Sequence, residues 1–185
     1  MIARIVAFVA GHAGLQRPKA VRILALGMGF CGFFVVIPLL LGLAGHAVAR
    51  SAGLVIPRSV EIPLGLGAAI SGLCLLLWAV WAFWFVGGGT PAPFASPLRL
   101  VTEGPFRYTR NPIMLSGILF YFGVGTLWDR WVTGLVMFAI GGLLGTLYHK
   151  GIEEKELLAR FGVQYEAYRR RTSFLIPLPP KPKRD

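Results

Sequence analysis

The side chains best suited to chemistry lie in two places. Arg110 stands before Asn111 and Pro112, at the end of the Gly- and Pro-rich segment 87–112 (GGGTPAPFASPLRLVTEGPFRYTRNP). Glu153 and Glu154 follow His149 by four and five residues. A guanidinium orients a carboxylate or a phosphate. A carboxylate holds hydroxyl or amino groups, and His149 or Glu154 is a candidate general base for an amine or thiol nucleophile. Each also has a plain structural role. Asn111 and Pro112 read as a helix cap and first helical position, and Arg110 as a cation snorkelling at a membrane boundary. The two carboxylates suit a helix start, and Glu156 with Arg160 forms an i,i+4 pair. Spacing alone leaves both readings open.

Other chemistries lack their motifs. No Walker loop, zinc helix or nucleophile elbow is present. Gly87, Gly88 and Gly89 precede Thr90 and Pro91 and open no helix, so they make a weak phosphate loop. Cys31 and Cys74 fall in apolar stretches without Cys-x-x-Cys spacing and read as small buried hydrophobes.

The elements that must position these groups are apolar. Hydrophobic residues make up 55% of the 185 and charged residues 15%, where soluble domains carry roughly 25% charged. Residues 21–48 and 62–86 read as two membrane spans, the first with a kink at Pro38 and with His46 near its end; the second closes on an aromatic group, Trp78, Trp81, Trp84 and Phe85. Residues 113–127 and 132–148 flank the charged turn Trp128-Asp129-Arg130-Trp131 and read as two short crossing helices, the alternative being a hairpin that enters from one face. After residue 149, Leu157, Leu158, Phe161, Tyr165 and Tyr168 recur at helical spacing, giving an amphipathic helix that Gly162 interrupts.

The net charge of +11 sits beside the spans. It therefore reads as a topology signal rather than a nucleic-acid footprint. Arg4, Arg17, Lys19 and Arg22, then Arg99, Arg107 and Arg110, then the basic C-terminal segment all fall on one side of a four-span chain. The expectation is an all-α, polytopic membrane helix bundle with both termini cytoplasmic. It divides into an interfacial segment 1–19, a bundle 20–148 with cytosolic loop 87–112, and a C-terminal helix and tail 149–185.

The combination of blocks resembles a family. LVT-x-G-x-F from Leu100, R-N-P-x-M-x-x-G from Arg110, and E-E-x-x-L-x-x-x-F-G-x-x-Y-x-x-Y from Glu153 look like the signature of the isoprenylcysteine carboxyl methyltransferase and phospholipid methyltransferase family. The resemblance covers about residues 87–177. It implies S-adenosylmethionine (SAM) as methyl donor, held on the cytosolic side between the loop and the C-terminal helix. By position it implies cofactor contacts from Leu100, Val101, Phe106, Asn111, Pro112, Met114 and Glu153. Phe106 and Tyr108 would face the cationic sulfur, Arg110 would orient an anionic acceptor group, and Glu154 or His149 would serve as base. The acceptor would be lipid-like or amphiphilic and would come from the bilayer.

This chain departs from the family pattern at three places. Phe106 replaces a usual Tyr, Asn111 and Met114 replace the His and Tyr of Arg-His-Pro-x-Tyr, and His149 stands where prenylcysteine enzymes have an Arg that holds substrate. The alternatives are a non-catalytic accessory protein of the same fold and an NADPH-dependent sterol-type reductase. The pair Glu153 and Glu154 belongs to the methyltransferase pattern.

Overall fold

A computed structural model describes residues 18–92 and 95–181. The interfacial segment expected over 1–19 lies almost wholly outside the described residues. The fold is all-helical: α1 (Lys19–Cys31), α2 (Ile37–Ala52), α3 (Arg58–Phe85), α4 (Pro112–Trp128), α5 (Trp131–Tyr148) and α6 (Glu154–Arg171). π-helical turns at Gly32–Val36 and His149–Glu153 join α1 to α2 and α5 to α6, and a 3-10 turn occupies Gly104–Arg107. Among the described residues no strand forms, and the only bridge pairs Thr109 with Ser173.

Three continuous helices are long and apolar enough to cross a membrane: Lys19–Ala52, Arg58–Phe85 and Trp131–Arg171. The apolar part of the last is α5, since α6 is strongly charged. Helix α4 is apolar but has 17 residues, about 25 Å at 1.5 Å per residue, just short of a typical hydrocarbon core. The chain is therefore a multi-pass helical membrane protein. The π turn before α2 accommodates Pro38, whose ring would clash with the carbonyl four residues back and which has no N–H to donate. Cys31 and Cys74, expected to be buried, are exposed on helix faces.

The described chain folds as two compact units. One comprises residues 30–76 and 114–145. Its core centres on Leu41, Tyr121 and Met137, with Phe33, Phe120 and Ile140 against them. Small residues let its helices approach closely. A Cβ on Gly72 of α3 would lie 2.6 Å from the Phe120 nitrogen and 2.7 Å from the Ser116 carbonyl oxygen of α4.

The second long helix begins ahead of the span expected over 62–86. Helix α3 begins at Arg58, and Glu61 in its first turn is fully buried. Its carboxylate meets Arg58 at 3.0 Å and Arg130 at 3.4 Å and accepts from the Trp131 N–H. Arg58 also donates to the carbonyls of Leu127 and Asp129, which end α4. His46 meets Asp129 at 3.0 Å.

The other unit comprises residues 18–29, 77–113 and 146–181. Ala79, Ala82, Val101 and Phe106 form its core, with Phe83, Val86 and Ile113 against them. Arg22 stacks over Trp84 at 3.9 Å and donates to the carbonyls of Trp84 and Gly89. The Gly87 to Gly89 stretch closes α3: its backbone holds Leu98, and a Cβ on Gly89 would meet Pro97 Cα and the Ser96 carbonyl carbon at 2.5 Å. The triplet is thus a close-packed turn.

Candidate active site

The segment after α3 is irregular because Pro and Gly deny it a ladder, yet specific bonds order it. Tyr168 Oη donates to the Phe106 carbonyl at 2.7 Å, and the Phe106 ring stacks on Phe83 with centroids 4.6 Å apart. The chain after α6 turns back over it. Arg110 N–H donates to the Ser173 carbonyl and Leu178 N–H to the Tyr108 carbonyl. The Phe174 carbonyl accepts from Asn111 Nδ2 at 2.8 Å and from Thr109 Oγ1 at 3.2 Å. Asn111 therefore stands directly before the first residue of α4, as a cap would, but spends its amide on the returning tail.

These contacts enclose a cavity of about 270 Å3, lined by residues of this unit alone. Leu100, Val101, Phe106, Arg110, Asn111 and Pro112 line it from the loop, and His149, Glu153 and Glu154 from the π turn and the start of α6. The structure thus brings nine of the sequence-predicted site residues together. Met114 is not on this wall. It is buried in the other unit, and its side chain lies where a Cβ on Gly145 would fall. Tyr108 does not line the cavity either and is 40% exposed.

The charged groups of the wall are organised. Arg110 Nη2 lies 3.0 Å from Glu154 Oε1, both side chains mostly buried, and Arg169 Nη1 lies 3.9 Å from the other carboxylate oxygen. His149 Nδ1 is in ion-pair contact with Glu153 Oε2. Glu156 accepts from Arg160 Nη1 at 2.6 Å, and Arg160 also donates to the Pro97 carbonyl, fastening α6 to the loop. Burial pushes the Glu156 carboxyl above its ordinary value, against the opposing hydrogen bond from Arg160. Burial likewise raises the phenols of Tyr165 and Tyr168, so both stay protonated.

Several wall residues escaped the reading of the sequence. Phe83 was hidden in the aromatic end of α3, where Trp78, Trp81 and Phe85 are exposed. Arg99 read as a topology charge and Arg160 only as the helical partner of Glu156. Leu157, Phe161, Tyr165 and Tyr168 had the helical spacing of a buried face, and that face covers the cavity. Gly162, at φ 48°, bends α6 within this face, as its type suggested.

Comparisons with known proteins find related methyltransferases. Methanethiol S-methyltransferase of Mycobacterium tuberculosis is 36% identical over 74 residues, 40% of this chain and 29% of that protein. Methanethiol S-methyltransferase 2 of Bradyrhizobium diazoefficiens is 31% identical over 72 residues, 39% of this chain and 26% of that protein. The alignments span less than a third of either relative's length. No solved structure matches. Residues 60–164 match the phospholipid methyltransferase family. That match takes in more than half of the sequence and most of the cavity wall, and the chain belongs to the phospholipid methyltransferase family.

Proposed function

We propose that this protein is a SAM-dependent methyltransferase whose cofactor and acceptor meet in the cavity between the loop and α6. The observation that carries the reading is the convergence of Phe106, Asn111, Arg110, Glu153 and Glu154 on one enclosed wall. The donor set fits the cofactor. Arg110 Nε is buried with no hydrogen-bond partner among the described residues, and it suits the carboxylate of the amino-acid end. Glu153 and Glu154 suit ribose hydroxyls and the ammonium group. The stacked Phe106 and Phe83 offer a π surface to a flat base or a cation.

When bound, SAM supplies a methyl group activated by its positive sulfur. The chain's own work is position and field. Arg110 and Arg169 hold Glu154 in place from two sides. The Tyr168 hydroxyl holds the Phe106 backbone, and Asn111 fastens the tail that closes the loop.

The proposed acceptor is a hydrophobic or amphiphilic nucleophile arriving from the bilayer, with the loop, α6 and both termini on the cytoplasmic side. The names of the two relatives make a thiol the acceptor to test first. Calorimetry on the detergent-purified protein tests the cofactor, with NADPH as control. The expected result is micromolar SAM affinity without NADPH binding. A folded sample that binds no SAM would overturn the reading in favour of a non-catalytic accessory role.

A further inference from the structure

The His149 ring stands in the cavity wall on the π-helical turn joining α5 to α6. Its Nδ1 lies in ion-pair contact with Glu153 Oε2, and that nitrogen has no hydrogen-bond partner among the described residues. A carboxylate at one imidazole nitrogen fixes the proton there and leaves the lone pair on the other. The side chain is 16% exposed, and with Nδ1 against Glu153 the nitrogen left to take a proton is Nε2.

The other carboxylates of the wall are committed elsewhere. Glu154 has guanidinium nitrogens at 3.0 and 3.9 Å, and Glu156 is held by Arg160. They are fixed anchors, not proton carriers. The acceptor's charge is constrained as well. Arg99, Arg110 and Arg160 line the cavity with Glu153, Glu154 and Glu156 in equal number, and each carboxylate already has a partner, so none is left over for a cationic amine beside a sulfonium donor. A neutral thiol brings no charge until it loses its proton.

We infer that His149 is the general base, oriented by Glu153, and that the acceptor class is a thiol bearing its proton on arrival. This rests on the methyl-transfer reading above. The thiol proton passes to His149 Nε2, and the sulfur left with the electron pair forms a bond to the methyl carbon. The bond from that carbon to the donor sulfur breaks, its electron pair staying on the donor. The imidazolium then releases the proton to solvent.

The test uses the full chain in detergent, SAM calorimetry, and two acceptors: an alkanethiol and a thiophenol already ionised at the assay pH. In His149→Ala, turnover of the alkanethiol at saturating SAM is expected to fall 100- to 10,000-fold, in the range a general base contributes. Thiophenol turnover falls less than tenfold, and SAM affinity stays within twofold. His149→Asn, which keeps a donor near Glu153 but offers no base, behaves like His149→Ala.

Equal losses with both thiols, or recovery of the alkanethiol rate in His149→Asn, would reduce His149 to a structural role. Wild-type protein that binds SAM but methylates neither thiol overturns the acceptor class alone. Wild-type protein that binds no SAM overturns both this inference and the reading beneath it.

Discussion

Replacing Arg110 by Ala removes the guanidinium that lies 3.0 Å from Glu154 and donates to the Arg169 carbonyl at 3.3 Å. The side chains of Arg110 and Glu154 are 11% and 15% exposed. Deleting one partner of a fully buried ion pair costs about 3–5 kcal/mol, because a charge is stranded. Glu154 keeps Arg169 at 3.9 Å and some water, so the loss here is about 2 kcal/mol. For a chain of this size that is about 4–8 °C in Tm. The assay is thermal unfolding in detergent of Arg110→Ala, Glu154→Gln and the double variant. In the Glu154→Gln background the stranded charge is gone, and Arg110→Ala is expected to lose about half as much. An identical drop in both backgrounds would refute the coupling. Arg110→Ala is also expected to weaken SAM binding tenfold or more by calorimetry, because the guanidinium offered to the cofactor's carboxylate is gone. Unchanged SAM affinity with lowered turnover would move Arg110 to the acceptor's side.

Further expectations concern single contacts. Tyr168→Phe leaves the buried Phe106 carbonyl without its 2.7 Å donor and should lower stability by about 1–2 kcal/mol, read by thermal unfolding. Gly72→Ala forces a Cβ against the α4 backbone and should destabilise by about 1–3 kcal/mol. Gly67→Ala on the same helix meets nothing within 4 Å and should be neutral or stabilising by up to about 1 kcal/mol. Equal Tm values for the two would remove the close-approach argument. Glu153→Ala should weaken SAM binding tenfold or more by calorimetry and slow alkanethiol turnover as well, since His149 loses its partner. The Glu156 carboxyl is raised in the fold, chiefly by burial, from an ordinary value of 4.5. Its protonated form is favoured in the native state, so its contribution is fully present below pH 4.5 and is lost as pH rises through the raised value. Glu156→Gln should flatten that part of a stability–pH profile, and an unchanged slope would contradict the burial argument.

The sequence by itself determined the solvent and the helices. Apolar stretches of membrane length leave the backbone no partner but itself, so the all-helical, multi-pass character was legible without coordinates. The turn between Trp128 and Trp131, the break at Gly162 and the pairing of Glu156 with Arg160 were legible too, because each depends on neighbours within a few residues. The blocks around Arg110 and Glu153 marked the region of the site.

What tertiary structure alone decided depends on residues far apart in the chain. Met114 follows Pro112 by two positions on α4, yet it is buried in the other unit while Pro112 lines the cavity. Helix phase settles that, and a motif does not carry phase. Glu61 lies just before the span expected over 62–86, yet α3 begins at Arg58 and Arg130 comes to meet it. The tail from Thr172 onward read as a basic, Pro-rich end, yet its carbonyls satisfy Asn111, Thr109 and Arg110 across more than 60 residues. The sequence supplied His149, Glu153 and Glu154 as three candidates for one chemistry. The fold separated them, setting two cations around Glu154 and one carboxylate against His149, because a side chain's role follows from the groups that reach it in space.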